Sequence, residues 1–456
     1  MTEVMVVADL GFGDGGKGTV VDFLVRDRGA GAVVRWHGGA QAGHRVVTPD
    51  GRAHVFAQLG AGSFVPGVRT HLAGGFVLDP PALLAEARRI AEVGVPDALE
   101  RLEIDGKALV ITPFARAANR LRELARGEAA HGSCGLGFGE TVRLSLVAPE
   151  LRITVADLHR PASLPRRLQR MRDFVRDELE PIAKLLGDHP IGGPELAALE
   201  SDALIEPWIE SVAHLIRRGL LVGEESLAAL LRGPRPVVFE GAQGALLDEW
   251  EGFHPHTTWS TCGTRGASEL LDRLGHDGPR QRLGVLRTYS TRHGQGPLPT
   301  ETGALAHIPE AENGDVGWQG RFRRGWLDLT LLRYALRISP VDGLALTHLD
   351  RVEPNFQLAT ALRAPGPVDP ALAVTDPTDG TRILSLHPAE ELEDLAHQEA
   401  LTELLGTVEP ELVAVPDAAH LIGELECGLG ERVVLTSSGA SATSKRWVAP
   451  AKEWAA

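Results

Sequence analysis

Short apolar runs recur along the chain, and each ends in a polar or glycine-rich loop. The first run occupies residues 4–10 (VMVVADL), and later ones occupy residues 236–240, 282–289, 343–347 and 432–436. Runs of this length that are rich in β-branched residues predict buried strands. Strands that are apolar on both faces are typical of a parallel sheet covered by helices on both sides.

The segments between these runs carry helical signals. Asp79 precedes Pro80-Pro81 and ALLAEARRIAEVG, so the aspartate can cap a helix that proline begins and Gly94 ends. Residues 164–186 predict a long amphipathic helix bent at Pro181, and residues 326–338 predict another helix. The alternation predicts an α/β fold with a large, mostly parallel central sheet, helices on both faces, and a P-loop-like nucleotide-binding arrangement with insertions.

No clear linker divides the chain, so we predict a single domain over residues 1–456. The stretch at residues 364–381, rich in proline, alanine and aspartate, is predicted to be a surface excursion. Apolar residues make up 43% of the chain and charged residues 23%, with a mean hydropathy of −0.05. This is the composition of a globular protein with a large core.

Charge and cysteine usage exclude several classes of protein. The formal net charge of −15 makes the chain a poor candidate for binding nucleic acid or a membrane surface. Cys134, Cys262 and Cys427 lie far apart, which excludes a disulfide scaffold and a cysteine-based zinc ribbon. The chain has no apolar run of the ~18 residues that cross a bilayer, and its first residues do not resemble a signal peptide. We therefore expect a cytoplasmic protein.

The segment GFGDGGKGT at residues 11–19 is the strongest chemical signal. It has the G-x-x-x-x-G-K spacing of a P-loop, although Gly18 stands where a P-loop has serine or threonine. Exposed backbone N–H groups, a following helix and the charge of Lys17 all favour phosphate binding. Asp14 is unexpected there, because a carboxylate repels phosphate unless it binds a metal ion or accepts a proton. It could also be a turn-forming aspartate.

A second glycine cluster, WHGGAQAGHR at residues 36–45, includes His44. A histidine among glycines is more exposed than a core histidine and could donate a proton near neutral pH. By itself it could equally be an ordinary loop residue.

Several ordered blocks resemble the adenylosuccinate synthetase family. GFGDGGKG and RWHGGAQAGH resemble its Q-W-G-D-E-G-K-G-K and R-Y-Q-G-G-x-N-A-G-H-T, and FEGAQGALLD at 239–248 matches another block. HPHTTWST at 254–261 and YSTRHGQGPLPTE at 289–301 resemble Y-P-x-V-T-S-S and Y-[ST]-T-R-V-G-x-G-P-F-P-T-E. GRFRRGWLD at 320–328 and LTHLD at 346–350 resemble G-R-x-R-R-x-G-W-[LF]-D and L-T-K-L-D. An ordered set is far more specific than any single block.

The resemblance implies a ligase of purine biosynthesis that joins aspartate to the 6-position of IMP and yields adenylosuccinate, GDP and phosphate. It implies GTP as the phosphoryl donor, Mg²⁺ as cofactor, and a homodimer whose other partners are small-molecule nucleotide and amino-acid substrates. A purine 6-oxo group is a poor leaving group, and phosphorylation makes it a good one. Removing the ring N1 proton makes that oxygen nucleophilic enough to take the phosphoryl group.

The resemblance also implies residue roles. Asp14 is expected to be the base and, with the Gly43 carbonyl, an Mg²⁺ ligand, while His44 acts as the acid and Lys17 holds phosphate. The expected GTP-binding residues are Gly13, Gly15, Gly16, Lys17, Gly18, His348, Asp350, Ser437 and Gly439. The expected nucleotide-substrate residues are Gln41, Ser133, Cys134, Gln243, Thr258 and Arg321. The expected amine-donor residues are Gly317, Trp318, Gln319, Arg321 and Arg323.

Three loops depart from the family pattern. In VGWQGR at 316–321, Trp318 and Gln319 stand where V-G-x-T-T-G-R offers two hydroxyl groups to a carboxylate. In GSCGLGFGE at 132–140, Cys134 replaces a threonine that contacts the nucleotide phosphate, and Arg143 is the nearest candidate for an arginine that the neighbouring subunit supplies. His348 replaces the lysine of L-T-K-L-D, but Asp350, the group that selects guanine, is retained.

These departures leave two alternatives to IMP and aspartate. One is a paralogue that uses a different amine donor or a nucleotide analogue in a specialised pathway. The other, of a different class, is a GTP-binding module or GTPase without ligase activity. Asp14 and His44 argue against the second, because a protein that only binds nucleotide needs neither a base nor an acid.

Overall fold

A computed structural model describes residues 2–186, 189–310, 313–314 and 317–448. Its strands are β1 (Val4–Asp9), β2 (Ala32–Gly39), β3 (His44–Val47), β4 (Ala53–Phe56), β5 (Arg69–Leu78), β6 (Leu102–Asp105), β7 (Leu109–Val110), β8 (Leu221–Val222), β9 (Val237–Glu240), β10 (Arg280–Arg287), β11 (Tyr289–His293), β12 (Phe322–Asp328), β13 (Gly343–Thr347), β14 (Phe356–Arg363), β15 (Ala373–Asp376), β16 (Asp379–Leu386), β17 (Glu409–Val415), β18 (Val433–Ser437) and β19 (Lys445–Trp447).

The helices alternate with these strands over much of the chain. They are α1 (Lys17–Arg28), α2 (Pro80–Glu92), α3 (Pro113–Arg126), α4 (Phe138–Val147), α5 (Leu164–Glu178), α6 (Glu180–Leu186), α7 (Gly192–Leu199), α8 (Ile205–Arg217), α9 (Glu224–Leu231), α10 (Thr264–Arg273), α11 (Leu329–Ile338), α12 (Leu395–Leu405) and α13 (Ala418–Leu429). Within the described residues, no helix has both the length and the apolarity to cross a membrane.

The predicted mostly parallel central sheet is confirmed. Its strand order is β19-β18-β13-β10-β1-β9-β2-β5-β6-β8, with β7 beside β5. The pairs on either side of β1 are parallel, with Val4 opposite Arg280 on β10 and Val237 on β9. The antiparallel pair joins β18 to β19 at one edge. The strands on this path from β18 to β8 run in the same direction. The loops that follow them therefore lie together at the carboxyl ends of the strands.

Helices pack on both faces of this sheet. All six residues of β1 are buried, which explains why the strand is a continuous apolar run. Met5 and Val7 lie in the core that includes the apolar side of α1. Val4 and Val6 lie in a separate core with residues of α9 and α10. Alternate side chains of one strand therefore serve two cores.

A second sheet carries the later part of the chain. Its order is β11-β12-β14-β16-β15, with β17 beside β14. The stretch at 364–381 was predicted to be a surface excursion, but it contains β15 and the start of β16, and Ala373 belongs to the core between this sheet and its helices. The stretch is mostly exposed or half-buried, as predicted, but part of it pairs as strands, with Asp376 opposite Asp379.

Three predicted element boundaries also need correction. The helix expected at 326–338 begins at Leu329, because the preceding residues belong to β12 and pair with β11 and β14. Asp328 caps the helix by accepting from the Thr330 and Leu331 N–H groups. The helix expected at 164–186 is divided into α5 and α6 at Leu179. The strand expected at 282–289 ends at Arg287, and β11 begins at Tyr289. The cap at Asp79 is confirmed, since its side chain accepts from Ala82 N–H.

Candidate active site

A cleft of about 1060 Å³ lies beyond the carboxyl ends of the central parallel strands. It is where ligands bind in open α/β sheets. Most of the predicted site residues line it: Gly13, Asp14, Gly16, Lys17, Gly18, Gln41, Gly43, His44, Ser133, Cys134, Gln243, Thr258, Gly317, Trp318, Gln319, His348, Asp350, Ser437 and Gly439. Gly15, Arg321 and Arg323 are described but do not belong to this lining.

The glycine loop is organised by Asp9, the last residue of β1. Its buried carboxylate accepts from the Gly11 N–H at 2.8 Å, the Gly15 N–H at 2.7 Å and Lys17 Nζ at 3.1 Å. A side chain on Gly15 would place its Cβ only 2.4 Å from that carboxylate. Lys17 also donates to the Gln243 carbonyl at 2.6 Å. The loop is therefore built around an internal ion pair that also fixes the position of Lys17.

The loop passes into α1 without a side-chain cap. Gly16 is the N-cap residue, in the left-handed conformation with φ 94°, and the first turn of the helix has no acidic residue. The first N–H groups of α1 therefore keep their hydrogen-bonding capacity for a ligand, and the helix dipole favours an anion there.

The close approach of His44 explains why residue 18 is glycine and not the serine or threonine of a standard P-loop. A Cβ on this residue would lie 2.7 Å from Cβ of His44 and 2.9 Å from its carbonyl carbon. The serine or threonine of a P-loop does not fit in that space. The glycine lets the phosphate loop and His44 lie against each other on one wall of the cleft.

His44 forms a dyad with Glu240, the last residue of β9. Its Nδ1 lies 2.5 Å from Glu240 Oε1, and Glu240 also accepts from the Ala61 N–H at 2.9 Å. Because Nδ1 donates to the carboxylate, Nε2 is the nitrogen available to a ligand. Burial and the charges of Arg35 and Lys17 lower the pKa of His44 even though Glu240 opposes them. The pKa of Glu240 is also lowered, because Arg35 and His44 outweigh the effect of its burial.

Asp14 faces a histidine across the cleft. It adopts a left-handed conformation with φ 57°, and its Oδ2 lies 3.3 Å from Nε2 of His293. Burial would raise the pKa of Asp14, but the hydrogen bond and charge of His293, together with the charges of Arg287 and Lys17, lower it below its usual value. Burial would lower the pKa of His293, but the interaction with Asp14 outweighs burial, so the pKa of this imidazole is raised. Both shifts in pKa favour an ionised Asp14 carboxylate beside a protonated His293 imidazole.

Two glutamines present unused polar atoms to the cleft. Both side-chain polar atoms of Gln41 and Nε2 of Gln243 are buried without a hydrogen-bond partner in the protein. Gln243 is held with φ 52°, an uncommon conformation for a residue other than glycine. Buried amides without partners are costly, so these atoms are suited to binding a polar ligand.

Two side chains of α3 form hydrogen bonds with the loop at 132–135 and hold it in place. Glu123 accepts from the N–H groups of Gly132 and Ser133, and Asn119 donates to the Ser133 hydroxyl. Burial raises the pKa of the Cys134 thiol, so it is not a reactive thiolate.

Arg143, predicted as the nearest candidate for an arginine supplied to the neighbouring subunit, is engaged within its own chain. It donates to Glu140 at 2.8 Å and to both carboxylate oxygens of Glu178. This arrangement does not favour Arg143 for that role.

The loop that was predicted to bind the amine donor, residues 316–321, lies against the 132–135 loop. The Trp318 ring covers Gly135 so closely that a Cβ there would be 2.5 Å from its Cγ, and the Arg120 guanidinium lies 5.4 Å from the ring centroid. Arg321 and Arg323 both pair with Glu301, at 2.8 Å and 2.6 Å. Val316, the first residue of this loop, lies outside the described residues.

The other end of the cleft contains the residues predicted to bind guanine. Asp350 lies 3.2 Å from the side chain of its neighbour Arg351, and His348 has φ 60°. Lys445 donates to the carbonyls of Gly439 and Ser441, so it shapes the loop after β18. Burial lowers the pKa of Lys445 to about 8, against the opposing charges of Asp22 and Asp350.

Four residues that contact the candidate site or shape its loops were not among those predicted from the sequence. Asp9 and Glu240 are the last residues of apolar strands, and a carboxylate at that position could have indicated a residue of the site. His293 stands in the block YSTRHGQGPLPTE where the family pattern has valine, a visible departure. The sequence alone gave no signal that Lys445 shapes the loop that follows β18.

Comparisons with known proteins agree with this geometry. The family model described as adenylosuccinate synthetase matches residues 6–367. The adenylosuccinate synthetase of Magnetococcus marinus is 32% identical over 387 residues, covering 80% of this chain and 82% of that protein. That of Pseudomonas fluorescens is 33% identical over 394 residues, covering 86% and 87%.

Two solved structures share the fold. The fully ligated adenylosuccinate synthetase from Plasmodium falciparum superposes with a TM-score of 0.71 at 20% identity, covering 98% of this chain and 100% of that chain. The succinoaminodeoxyadenylate synthetase of cyanophage S-2L gives a TM-score of 0.59 at 17% identity, covering 99% and 96%.

Proposed function

The chain belongs to the adenylosuccinate synthetase family, whose members are GTP-dependent carbon–nitrogen ligases, and we propose how its cleft carries out that reaction on IMP and aspartate. The observation that carries the proposal is the convergence of Asp14, Lys17 and the His44–Glu240 dyad on one cleft. A base, a phosphate-binding loop and an acid are what phosphorylation of a lactam oxygen requires.

Asp14 begins the reaction as the general base. Its lowered pKa keeps it ionised at neutral pH. It takes the N1 proton of IMP, and O6, which then carries the negative charge, attacks the γ-phosphorus of GTP and displaces GDP. The amine of aspartate then displaces the phosphorylated oxygen at C6, and inorganic phosphate leaves.

His44 supports the transferring phosphoryl group. In the free protein its lowered pKa makes the imidazole neutral. Negative charge from a bound triphosphate raises the pKa of a nearby histidine. Nε2 can then carry the proton that stabilises the phosphoryl group and the departing oxygen, while Glu240 holds Nδ1.

The glycine loop and α1 bind the phosphates of GTP. The N-terminal N–H groups of α1 have no side-chain cap. Two N–H groups of Lys17 are used by Asp9 and Gln243, so the third remains to contact an oxygen of the triphosphate. Asp350 accepts from the N1–H and amino groups of guanine at the other end of the cleft.

The donor set around the loop fits magnesium. The Asp14 carboxylate and the Gly43 carbonyl are both oxygen ligands on the cleft wall. The described part of the chain has no group of three His, Cys, Asp or Glu side chains that could hold a metal ion, which suits an ion that keeps phosphate and water ligands. Bound Mg²⁺ would neutralise charge on the transferring phosphoryl group.

The polar groups of the purine nucleotide and of the amine donor have partners in the cleft or beside it. Gln41 and Gln243 supply unpaired amide groups for the purine nucleotide. Arg321 and Arg323 bind the carboxylates of aspartate after exchanging Glu301 for the substrate. Trp318 replaces a hydroxyl group in this loop, which favours a second candidate: an amine donor other than aspartate.

The test is a product assay with IMP, GTP, Mg²⁺ and a panel of amino acids. Phosphate release together with a new nucleotide of adenylosuccinate mass supports the proposal. Transfer of an ¹⁸O label from O6 of IMP to the released phosphate supports the phosphorylated intermediate. Phosphate release without a nucleotide product supports a GTPase, and turnover with another amino acid supports the second candidate.

We also propose a cytoplasmic homodimer, as the family resemblance implies. Light scattering at a mass near twice 48.7 kDa would support the dimer. Cell fractionation would test the location.

A further inference from the structure

His293 adds a side chain to the site that the family pattern does not contain. That pattern has valine at this position in Y-[ST]-T-R-V-G, whereas this chain has histidine. Nε2 of the imidazole lies 3.3 Å from Oδ2 of Asp14, and both residues line the cleft. A hydrogen-bond donor has therefore been placed beside the carboxylate that acts as the base.

The second sheet fixes the position of the imidazole. His293 is the last residue of β11 and pairs with Phe322 of β12. The two rings pack with their centroids 4.8 Å apart and their planes at 56°. The side chain is 22% exposed. A side chain held by a strand and an aromatic ring has few rotamers available.

Asp14, in contrast, is carried by a glycine loop. The loop N–H groups of Gly11 and Gly15 donate to Asp9. Arg287 and Lys17 attract Asp14 through their charge, but they donate hydrogen bonds elsewhere, Arg287 to Tyr289 and Glu310 and Lys17 to Asp9 and Gln243. The orientation of the Asp14 carboxylate therefore depends on His293.

We propose that His293 is a positioning residue for Asp14. Its Nε2–H holds Oδ2 and so presents Oδ1 to the N1–H of the purine. Oδ1 then takes the proton, the N1–H electron pair moves into the ring, and the charge develops on O6, while His293 keeps its own proton. This inference rests on the proposed function, in which Asp14 is the base.

The test compares three variants of the full-length enzyme. His293→Val removes the donor, and we expect kcat to fall about 10- to 100-fold, with the KM for GTP and for the amino acid within about twofold. His293→Gln places an amide N–H near the position of Nε2, and we expect it to recover most of the loss. His293→Asn is too short to reach Asp14, and we expect it to resemble the valine variant.

Two controls separate positioning from a structural role. His307→Val removes a histidine that is 55% exposed and paired with Glu353 outside the cleft, and it should leave kcat unchanged. Thermal unfolding should be the same for the glutamine and asparagine variants of His293, so stability cannot explain a difference in kcat between them.

The outcomes are distinguishable. Normal kcat in His293→Val, an equal loss in the glutamine and valine variants, or a change confined to KM would overturn the positioning role. Formation of no nucleotide product by the wild-type enzyme from IMP and any amino acid would overturn the proposed function, and this inference with it.

Discussion

Restoring the P-loop sequence by Gly18→Ser should slow this enzyme rather than improve it. In a P-loop the added hydroxyl would bind Mg²⁺ and improve phosphate binding. In this fold the Cβ would lie 2.7 Å from Cβ of His44 and 2.9 Å from its carbonyl carbon. The two interpretations therefore predict opposite effects of one substitution.

The magnitude follows from the geometry. Ordinary van der Waals contact begins at 3.4 Å, so either His44 or the start of α1 must move by about 0.7 Å. Overpacking of this kind costs roughly 1–3 kcal/mol of stability. A misplacement of about 1 Å in a catalytic group costs on the order of 100-fold in rate. We therefore expect kcat to fall about 10- to 100-fold, because the displaced imidazole is the acid.

Steady-state kinetics of adenylosuccinate formation and thermal unfolding would measure both effects. Gly193→Ser is a matched control, because a Cβ at that position on α7 meets no atom within 4 Å. It should leave kcat and the midpoint of unfolding unchanged. A Gly18→Ser enzyme with wild-type kcat would refute the steric argument.

Three further predictions concern the base, the amine-donor loop and a helix cap. Asp14→Asn should reduce kcat by more than about 100-fold while calorimetry shows GTP binding retained, and appreciable turnover would contradict its role as the base. Trp318→Ala should raise the KM for the amine donor several-fold and leave the KM for GTP unchanged, because the ring anchors the loop on Gly135; an unchanged KM for the amine donor would contradict this. Burial raises the pKa of Asp328 to about 6, so the folded state holds that proton more tightly than the unfolded state, and the contribution of Asp328 to stability falls as pH rises from about 4 to 6. Asp328→Asn keeps the cap of α11 and should flatten that fall in the unfolding midpoint, and an unchanged slope would contradict the assignment.

The fold was predictable where one strand or helix has a complete local signal. β13 matches its predicted bounds, and α2 has a cap, a proline and a terminating glycine in sequence. The boundary between β12 and α11 was not predictable, because Trp326 and Leu327 fit the apolar pattern of either element. Pairing decides that they form a strand, because Trp326 lies opposite Tyr289 of β11 and Leu327 lies opposite Leu358 of β14.

The site was predictable as a set of residues but not as a set of contacts. The glycine loop placed Asp14 and Lys17 together, and the structure confirms that both line the cleft with His44. The sequence did not reveal that Lys17 is paired with Asp9, because that contact depends on how the loop folds back on its own strand. The pairing of Arg321 and Arg323 with Glu301 likewise depends on a tertiary contact, the bridge that places Glu301 opposite Gly325 of β12.

The central position of β1 has a consequence for biosynthesis. Val4 pairs with Val237 on one side and with Arg280 on the other, so the first strand to leave the ribosome waits for partners made more than 200 residues later. Until then its five apolar residues, Val4 to Ala8, are without their native strand partners. Such non-local pairing slows folding and exposes nascent chains to aggregation, so we expect production of this enzyme to depend on chaperones and translation rate.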